Sequence, residues 1–508
     1  MNSSTKSLSW LLIGIGIILR LAQYLSNKSL WRDELFLALN LSERSIPDLF
    51  KPLDYNQYAP AGFLIIQKIV ISLFGTSELA FRFFPLICGI GSLFLFYKLS
   101  LKCLSKGAVP IALGFFVVLV PLIYYSSETK QYSSDVLIAL LLILLALKIT
   151  SNDLNIFKAF IYGIFGATSV WFSHTAVFVL AGITLYIILN SILTKDWKKV
   201  FNSLVFCLLW IISFFASYLI TLIHTDVNKG LKDLWSSFYL SLPSNTWKNI
   251  YMEFLRFSTF NTPAIICLVV GAIILYKKNK NILFIITVPV FITFFASLLH
   301  KYPLFERFIL FLIPFLILLI AEGIEWIRKK VSNISPILSV LVICLLFYKP
   351  LYFTKENFTN PLTQEEMKPV LQYVKEHLKA NDVIYISNPL QHAFKYYAPQ
   401  YNICNNFLIS TERKNLEEAN CNLFNYRVFL GVDKINNPVE EFEKLNGNKR
   451  VWLLLPEKRT LDLQNNLSTV NYLDKIGVKI GSFIRPGVIL YLYNVGLKRK
   501  DRQIFFPS

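Results

Sequence analysis

With 508 residues, 54% of them hydrophobic, and a mean hydropathy of +0.50, the chain is not an ordinary soluble protein. Only 16% of residues are charged, and these gather between long apolar runs. The net charge of +19 does not point to nucleic acid, because most lysines and arginines fall in short loops between those runs. There they read as positive-inside signals rather than as a phosphate-binding stripe.

In chain order, Leu8–Leu25 is the first apolar run and reads as a retained span, since no small-residue cleavage site follows it. With Lys6 inside, Ser26 to Pro60 lies outside. This loop carries SLWRDELFLAL, Ser29–Leu39, with Asp33 and Glu34 between Trp31 and an amphipathic tail. Glu34–Leu41 and Ile46–Phe50 suit short interfacial helices; the plain reading of Asp33 is as the N-cap of the first, with Glu34 favourable near its positive end. Ala61–Phe74 is too short to cross a bilayer and is read as re-entrant or interfacial. Arg82–Leu101 is the next span, ending at Lys102 and Lys106 on the cytoplasmic side.

The following spans are Ala108–Tyr125, Val136–Leu147, Ala159–Phe172, Ala176–Leu193 and Phe201–Ile223, then Thr262–Tyr276, Ile282–Leu299, Phe308–Ala321 and Ile337–Phe347. That makes about eleven, and every strongly basic loop between them falls on one side. The outer loop His224–Asn261 holds two amphipathic aromatic pieces, Leu231–Leu242 and Trp247–Phe257. From Lys349 onward the composition is that of a small α/β domain. It has a helix at Glu365–Lys379, strands at Val383–Ser387, Tyr426–Val432 and Arg450–Leu455, and a hairpin around Gly487. The expected organisation is a mainly α polytopic membrane domain, 1–348, and an extracytoplasmic α/β domain, 349–508. Five of the seven cysteines lie in or beside apolar runs; Cys404 and Cys421 lie in the polar C-terminal part and are free to pair if it faces an oxidising side.

This topology brings ionisable groups to one membrane face: Asp33, Glu34, Glu128, Lys130, Asp135, His174, His300, Lys301, Glu306 and Arg307. Ionisable groups at membrane level are costly and tend to be functional. Carboxylates beside cations suit group transfer from a phosphate-linked lipid, with a carboxylate taking a proton and cations stabilising the departing phosphate. Each group also has a plainer role. Glu128 and Asp135 suit capping of a helix starting near Tyr132, Lys130 an interfacial anchor, His174 a structural turn, and Glu306–Arg307 a local ion pair.

The order of motifs resembles the membrane glycosyltransferases of the GT-C fold, in particular the bacterial protein-mannosyltransferase-like family 39 group that includes aminoarabinose and galacturonosyl transferases. The matching pieces are Trp31-Arg32-Asp33-Glu34 after the first span, Tyr58-Ala59-Pro60 opening a short helix that ends Phe74-Gly75, and Glu78 through Arg82-Phe83-Phe84-Pro85. Tyr124–Tyr132 and Tyr302–Pro314 complete the set, and the whole covers about residues 8–325. The resemblance implies inverting transfer, on the extracytoplasmic side of a bacterial plasma membrane, from a polyprenyl-phosphate sugar to a glycan, lipid or protein acceptor. By it Asp33 is the catalytic base and Glu34 supports it. Glu128 or Asp135 with Lys130, together with Tyr58, His300, Lys301 and Arg307, serve the donor phosphate or substrate. Relatives place a basic or histidine residue directly before the proline of the short helix, where Tyr58-Ala59 stands here. Some bind a divalent cation; no metal-ligand spacing calls for one in this chain, and no cofactor is otherwise implied. The alternatives are a transporter or flippase of lipid-linked sugars, or a non-catalytic scaffold. A transporter should carry charges or broken helices at mid-bilayer, whereas here the charges gather at one face.

Overall fold

The computed structural model describes residues 3–151, 153–222, 235–240, 252, 255, 260, 262–404, 417–419, 426–431, 450–457 and 463–495. It separates into two compact units, one of residues Met1–Asn27 with Phe36–Leu362, the other of Lys28–Leu35 with Thr363–Ser508.

The first unit is helical: α1 (Ser3–Leu25), α2 (Arg32–Glu43, whose first turn belongs to the second unit), α3 (Ala61–Phe74), α4 (Glu78–Cys103), α5 (Ala108–Val118), α6 (Val120–Tyr124), α7 (Tyr132–Ser151), α8 (Ile156–Phe172), α9 (Ala176–Leu193), α10 (Trp197–Ser217), α11 (Thr262–Leu298), α12 (Ile313–Ser332) and α13 (Pro336–Thr359). Among the described residues, eight helical segments are long and apolar enough to cross a membrane, or nine if α5 and α6, bent by 61°, form one broken span. The chain is therefore a multi-pass membrane protein. Two further expected spans are accounted for by geometry. Helix α8 is 17 residues long, and α11, at 37 residues, would extend about 55 Å, nearly twice a hydrocarbon core of about 30 Å. Asn279 breaks α11 with non-helical angles in the midst of Lys277, Lys278 and Lys280, so its two halves correspond to two of the sequence-predicted spans. Helix α3 is 14 residues long, short of a span as expected.

Segment Glu306–Ser332 is the centre of the unit, 89% of its apolar window being buried, whereas only 22% of that of α13 is. Small residues bring α11 and α12 together. A Cβ on Gly271 would lie 1.8 Å from the Leu319 carbonyl oxygen, and one on Gly323 would lie 1.9 Å from that of Cys267. Only glycine at both positions permits this backbone contact, the packing that association in lipid favours. The outward faces are apolar, as with Leu208, Phe291 and Ile337, and suit contact with lipid.

The second unit is built on a six-stranded sheet of order β2-β3-β1-β4-β6-β5. Its strands are β1 (Val383–Ile386), β2 (Glu417–Ala419), β3 (Arg427–Leu430), β4 (Arg450–Pro456), β5 (Val478–Arg485) and β6 (Val488–Asn494). β1 runs parallel to both β3 and β4, while β2, β5 and β6 are antiparallel to their neighbours. Central β1 and β4 read as continuous apolar runs because both their faces are covered. Helices α14 (Met367–His377), α15 (Gln391–Tyr397) and α16 (Leu463–Ile476) complete it. β2 and α16 were not foreseen. The buried Asp382 carboxylate accepts from Trp452 Nε1 at 2.8 Å and Arg450 Nε at 2.9 Å, tying the start of β1 to β4. Cys404 is buried and disulfide-bonded; Cys421 lies outside the described residues, as does most of the outer loop 224–261 with its two predicted amphipathic pieces.

Candidate active site

In the first unit the loop between α6 and α7 is sunk into the helices. A 3₁₀ turn, Tyr125–Ser127, delivers Glu128, Thr129 and Lys130, which are 1%, 0% and 5% exposed. Polar backbone bonds shape the loop: Lys130 N–H donates to the Glu128 carbonyl at 2.7 Å, and Asp135 N–H and the Ser134 hydroxyl both donate to the Gln131 carbonyl. The Ser133 hydroxyl pins the start of α7 to the Pro85 carbonyl at 3.0 Å. Glu128 is the residue that ends the 3₁₀ turn and Asp135 lies inside the first turn of α7, so neither is the N-cap that the sequence suggested.

Lys130 Nζ donates to Gln57 Oε1, a side chain 6% exposed. Gln57 is aimed by an unusual turn: Tyr55 and Asn56 both have positive φ, 62° and 53°. The turn is anchored on α2, where Phe36 stacks on Tyr55 at 4.7 Å and Asn40 bonds both the N–H and the carbonyl of Asp54. The second-loop cation thus lies beside the Gln57-Tyr58-Ala59-Pro60 entry to α3. Tyr58 itself is half-buried there.

Asp135, 5% exposed, lies beside the hydroxyls of Ser173 and Thr175, which are themselves 3.0 Å apart. His174 between them faces the Thr221 hydroxyl at 3.2 Å, and burial pushes its imidazole down to about 4, keeping it neutral at pH 7. Arg307 sits among aromatic faces, its guanidinium carbon 5.7 Å from the Tyr132 and Phe308 ring centres and 6.0 Å from that of Trp235. These contacts help hold the cation in place. Tyr302 donates to the Phe308 carbonyl at 2.8 Å, and burial, followed by the charge of Asp135, raises its phenol well above the ordinary value. His300 and Lys301 are exposed at the adjoining turn.

Asp33 and Glu34 occupy the first turn of α2 and belong to the second unit. Leu35 N–H donates to the Trp31 carbonyl at 2.9 Å, so the helix starts at Arg32 and Trp31 is its N-cap. Asp33 is therefore not the cap but a first-turn residue, half-buried, with Glu34 2% exposed beside it. Both carboxylates still gain from the positive end of the helix.

Sequence reasoning missed Gln57, Ser173 and Thr175, ordinary polar residues in loops with no motif of their own. It also passed over Arg20 inside the first span. Arg20 is 1% exposed, donates to the carbonyls of Gly16 at 3.1 Å and Phe116 at 3.4 Å, and lines a cavity of about 10 Å³ with Ser126 and Ser133. An arginine interrupting an apolar run was the available signal. Among the described residues, no three His, Cys, Asp or Glu side chains come together to hold a metal ion.

No family model and no curated protein sequence matches the chain. Its structure, however, is similar to those of solved membrane glycosyltransferases. ArnT from Cupriavidus metallidurans bound to undecaprenyl phosphate matches at a TM-score of 0.50 and 10% identity, covering 95% of this chain and 97% of that one. The same protein in the apo state gives 0.52 and 10%, covering 96% and 98%. The oligosaccharyltransferase AglB from Archaeoglobus fulgidus, in complex with an inhibitory peptide and a dolichol-phosphate, gives 0.51 and 12%, covering 99% of this chain and 75% of its own. The chain has the GT-C fold.

Proposed function

We propose that this protein is an integral-membrane glycosyltransferase that moves a sugar from a polyprenyl-phosphate carrier to a hydroxyl acceptor on the extracytoplasmic face, with inversion. The observation that carries the reading is the fold likeness, over 95% or more of the chain, to a structure bound to undecaprenyl phosphate and to another with a dolichol-phosphate. The burial of Glu128, Lys130 and Asp135 at the ends of apolar helices supports it, because such groups cost stability that a scaffold has no reason to spend. A disulfide at Cys404 suits an oxidising compartment for the C-terminal domain.

In this mechanism the acceptor oxygen attacks the anomeric carbon, the bond from that carbon to the phosphate oxygen breaks, and polyprenyl phosphate leaves. Asp33 takes the acceptor's proton, and Glu34 keeps the first turn of α2 acidic beside it. Lys130, held by Gln57 next to Tyr58-Ala59-Pro60, supplies the cation for the phosphate that relatives draw from the residue before that proline. Arg307, on its aromatic mount, is the second cation. Glu128 and Asp135 line the donor side, and His300 and Lys301 serve its exposed approach.

The test is Asp33→Asn in membranes supplied with a polyprenyl-phosphate sugar and surface glycans. Transfer is expected to fall to background while expression and insertion are unchanged. Wild-type transfer by that variant sinks Asp33 as base. The acceptor is found by mass spectrometry of surface glycolipids and glycoproteins from a strain lacking the protein.

A further inference from the structure

Residues Lys28–Leu35 connect α1 to the rest of α2, yet they pack with the C-terminal unit rather than with the helices they join. The hydrogen bonds show how. The Tyr397 hydroxyl, at the fully buried end of α15, accepts from Leu30 N–H at 2.7 Å. The Ser29 hydroxyl accepts from Lys368 N–H at 3.0 Å and donates to Glu366 Oε2 at 3.4 Å. Arg32 N–H donates to Glu365 Oε2 at 3.4 Å. Arg32 is the first residue of α2, so its N–H is one of the donors a helix leaves without an internal partner. A carboxylate more than three hundred residues away therefore caps the helix whose first turn bears Asp33.

The clamp is itself braced. Glu366 N–H donates to the Pro486 carbonyl at 2.9 Å, in the turn that joins β5 to β6. Gly487 in that turn has φ +74°, and a Cβ on it would lie 2.1 Å from the Gln364 carbonyl oxygen. Gly487 also exchanges two bonds of 3.0 Å with Glu457, just past β4. A continuous path thus runs from the sheet, through its hairpin turn and Glu365–Glu366, to the backbone immediately before Asp33.

We propose that the C-terminal domain is the mount of the Trp31–Glu34 motif, with Tyr397, Glu365 and Glu366 as positioning residues that hold Ser29–Arg32 and so set where Asp33 is presented. This rests on the reading of Asp33 as the base. It gives the domain a task within the reaction, where a recruiting module would only gather acceptor. A displacement of about 1 Å at a reacting group costs on the order of a hundredfold in rate, so a base in the first turn of a helix needs that end of the helix held in place.

The experiment uses the full-length protein in membranes, with Tyr397→Phe and Ser29→Ala. Each removes one hydroxyl and keeps the packing of the side chain. Tyr397→Phe leaves the buried Leu30 N–H unpartnered and is expected to lower turnover about tenfold, with affinity for polyprenyl phosphate unchanged. Hydrogen exchange over 28–35 should rise in both variants while exchange in the spans stays as in the wild type. Unchanged exchange over 28–35 in both overturns the clamp. Raised exchange with unchanged turnover overturns its role in positioning the base. Failure of the base assignment itself is read separately, by wild-type transfer in Asp33→Asn.

Discussion

Two buried carboxylates at opposite polar ends of the first unit are held in opposite ways. Glu325, 2% exposed on α12, meets Arg328 at 2.7 Å and Lys329 at 3.2 Å, and its neighbour Glu322 takes the Ser105 N–H and hydroxyl and lies 3.6 Å from Lys278. Asp135, 5% exposed on α7, has two neutral hydroxyls instead. Lys130, in the same loop region, donates to a neutral amide, and Arg307 lies against rings. At the basic-loop end, charge cancels charge and the result is structure. At the other end, neutral hydroxyls lie beside Asp135, and a neutral amide and aromatic rings are among the groups that hold the cations, which suits a site that meets a charged ligand.

The largest expected effect follows from that contrast. Lys130→Met removes the cation proposed to meet the departing phosphate and should lower transfer at least a hundredfold, the usual cost of losing one preorganised donor to developing charge. Lys329→Met, at the far end, should leave transfer within about twofold, since Lys329 is 61% exposed. Equal losses in the two variants, measured per folded molecule, would erase the distinction between the ends.

A reciprocal pair of isosteric changes gives the next effect. Asp135→Asn keeps a polar side chain of the same shape beside the Ser173 and Thr175 hydroxyls, so stability should hold while transfer drops about tenfold. Glu325→Gln discards two ion pairs with partly exposed partners, so it should cost about 1 kcal/mol in stability and nothing in transfer. Thermal unfolding in detergent together with transfer assays separates the two. The comparison breaks if the losses are exchanged.

What was legible in the sequence followed from local pattern. The spans are apolar runs punctuated by lysines, α3 is visibly short, and β1, β3 and β4 are continuous apolar runs with turn residues around them. Charge parity placed Lys130 and Asp135 on one face because membrane topology is itself a one-dimensional rule. What was not legible depends on contacts far apart in sequence. Nothing local marks Gln57 as the partner of Lys130, 73 residues on, or Tyr397 as the partner of Leu30, 367 residues on. Asp33 was misread as the cap because acidic residues favour that position, whereas here the Trp31 carbonyl opens the helix and Glu365 caps it from outside. The break in α11 was legible as the lysine-rich stretch between two apolar runs, and the structure places its non-helical residue at Asn279.

The smallest expected effect lies in the turn that carries Asp135's partners. His174 sits between Ser173 and Thr175, and its imidazole is held down to about 4 by burial, against an ordinary value of about 6.5. Below about 6.5 the unfolded chain takes up a proton that the folded chain refuses, so stability falls as pH drops from about 6.5 toward 4 and is level above that window. His174→Gln, which retains a partner for the Thr221 hydroxyl, should flatten this limb of the unfolding curve. It should not alter the pH profile of transfer between about 6 and 8, because the wild-type ring is already neutral throughout. A transfer profile that shifted with His174→Gln would mean that the turn acts on the reaction through its charge. The contrast with Glu325 would then have to be drawn between the two ends' networks, His174 included, rather than between their carboxylates.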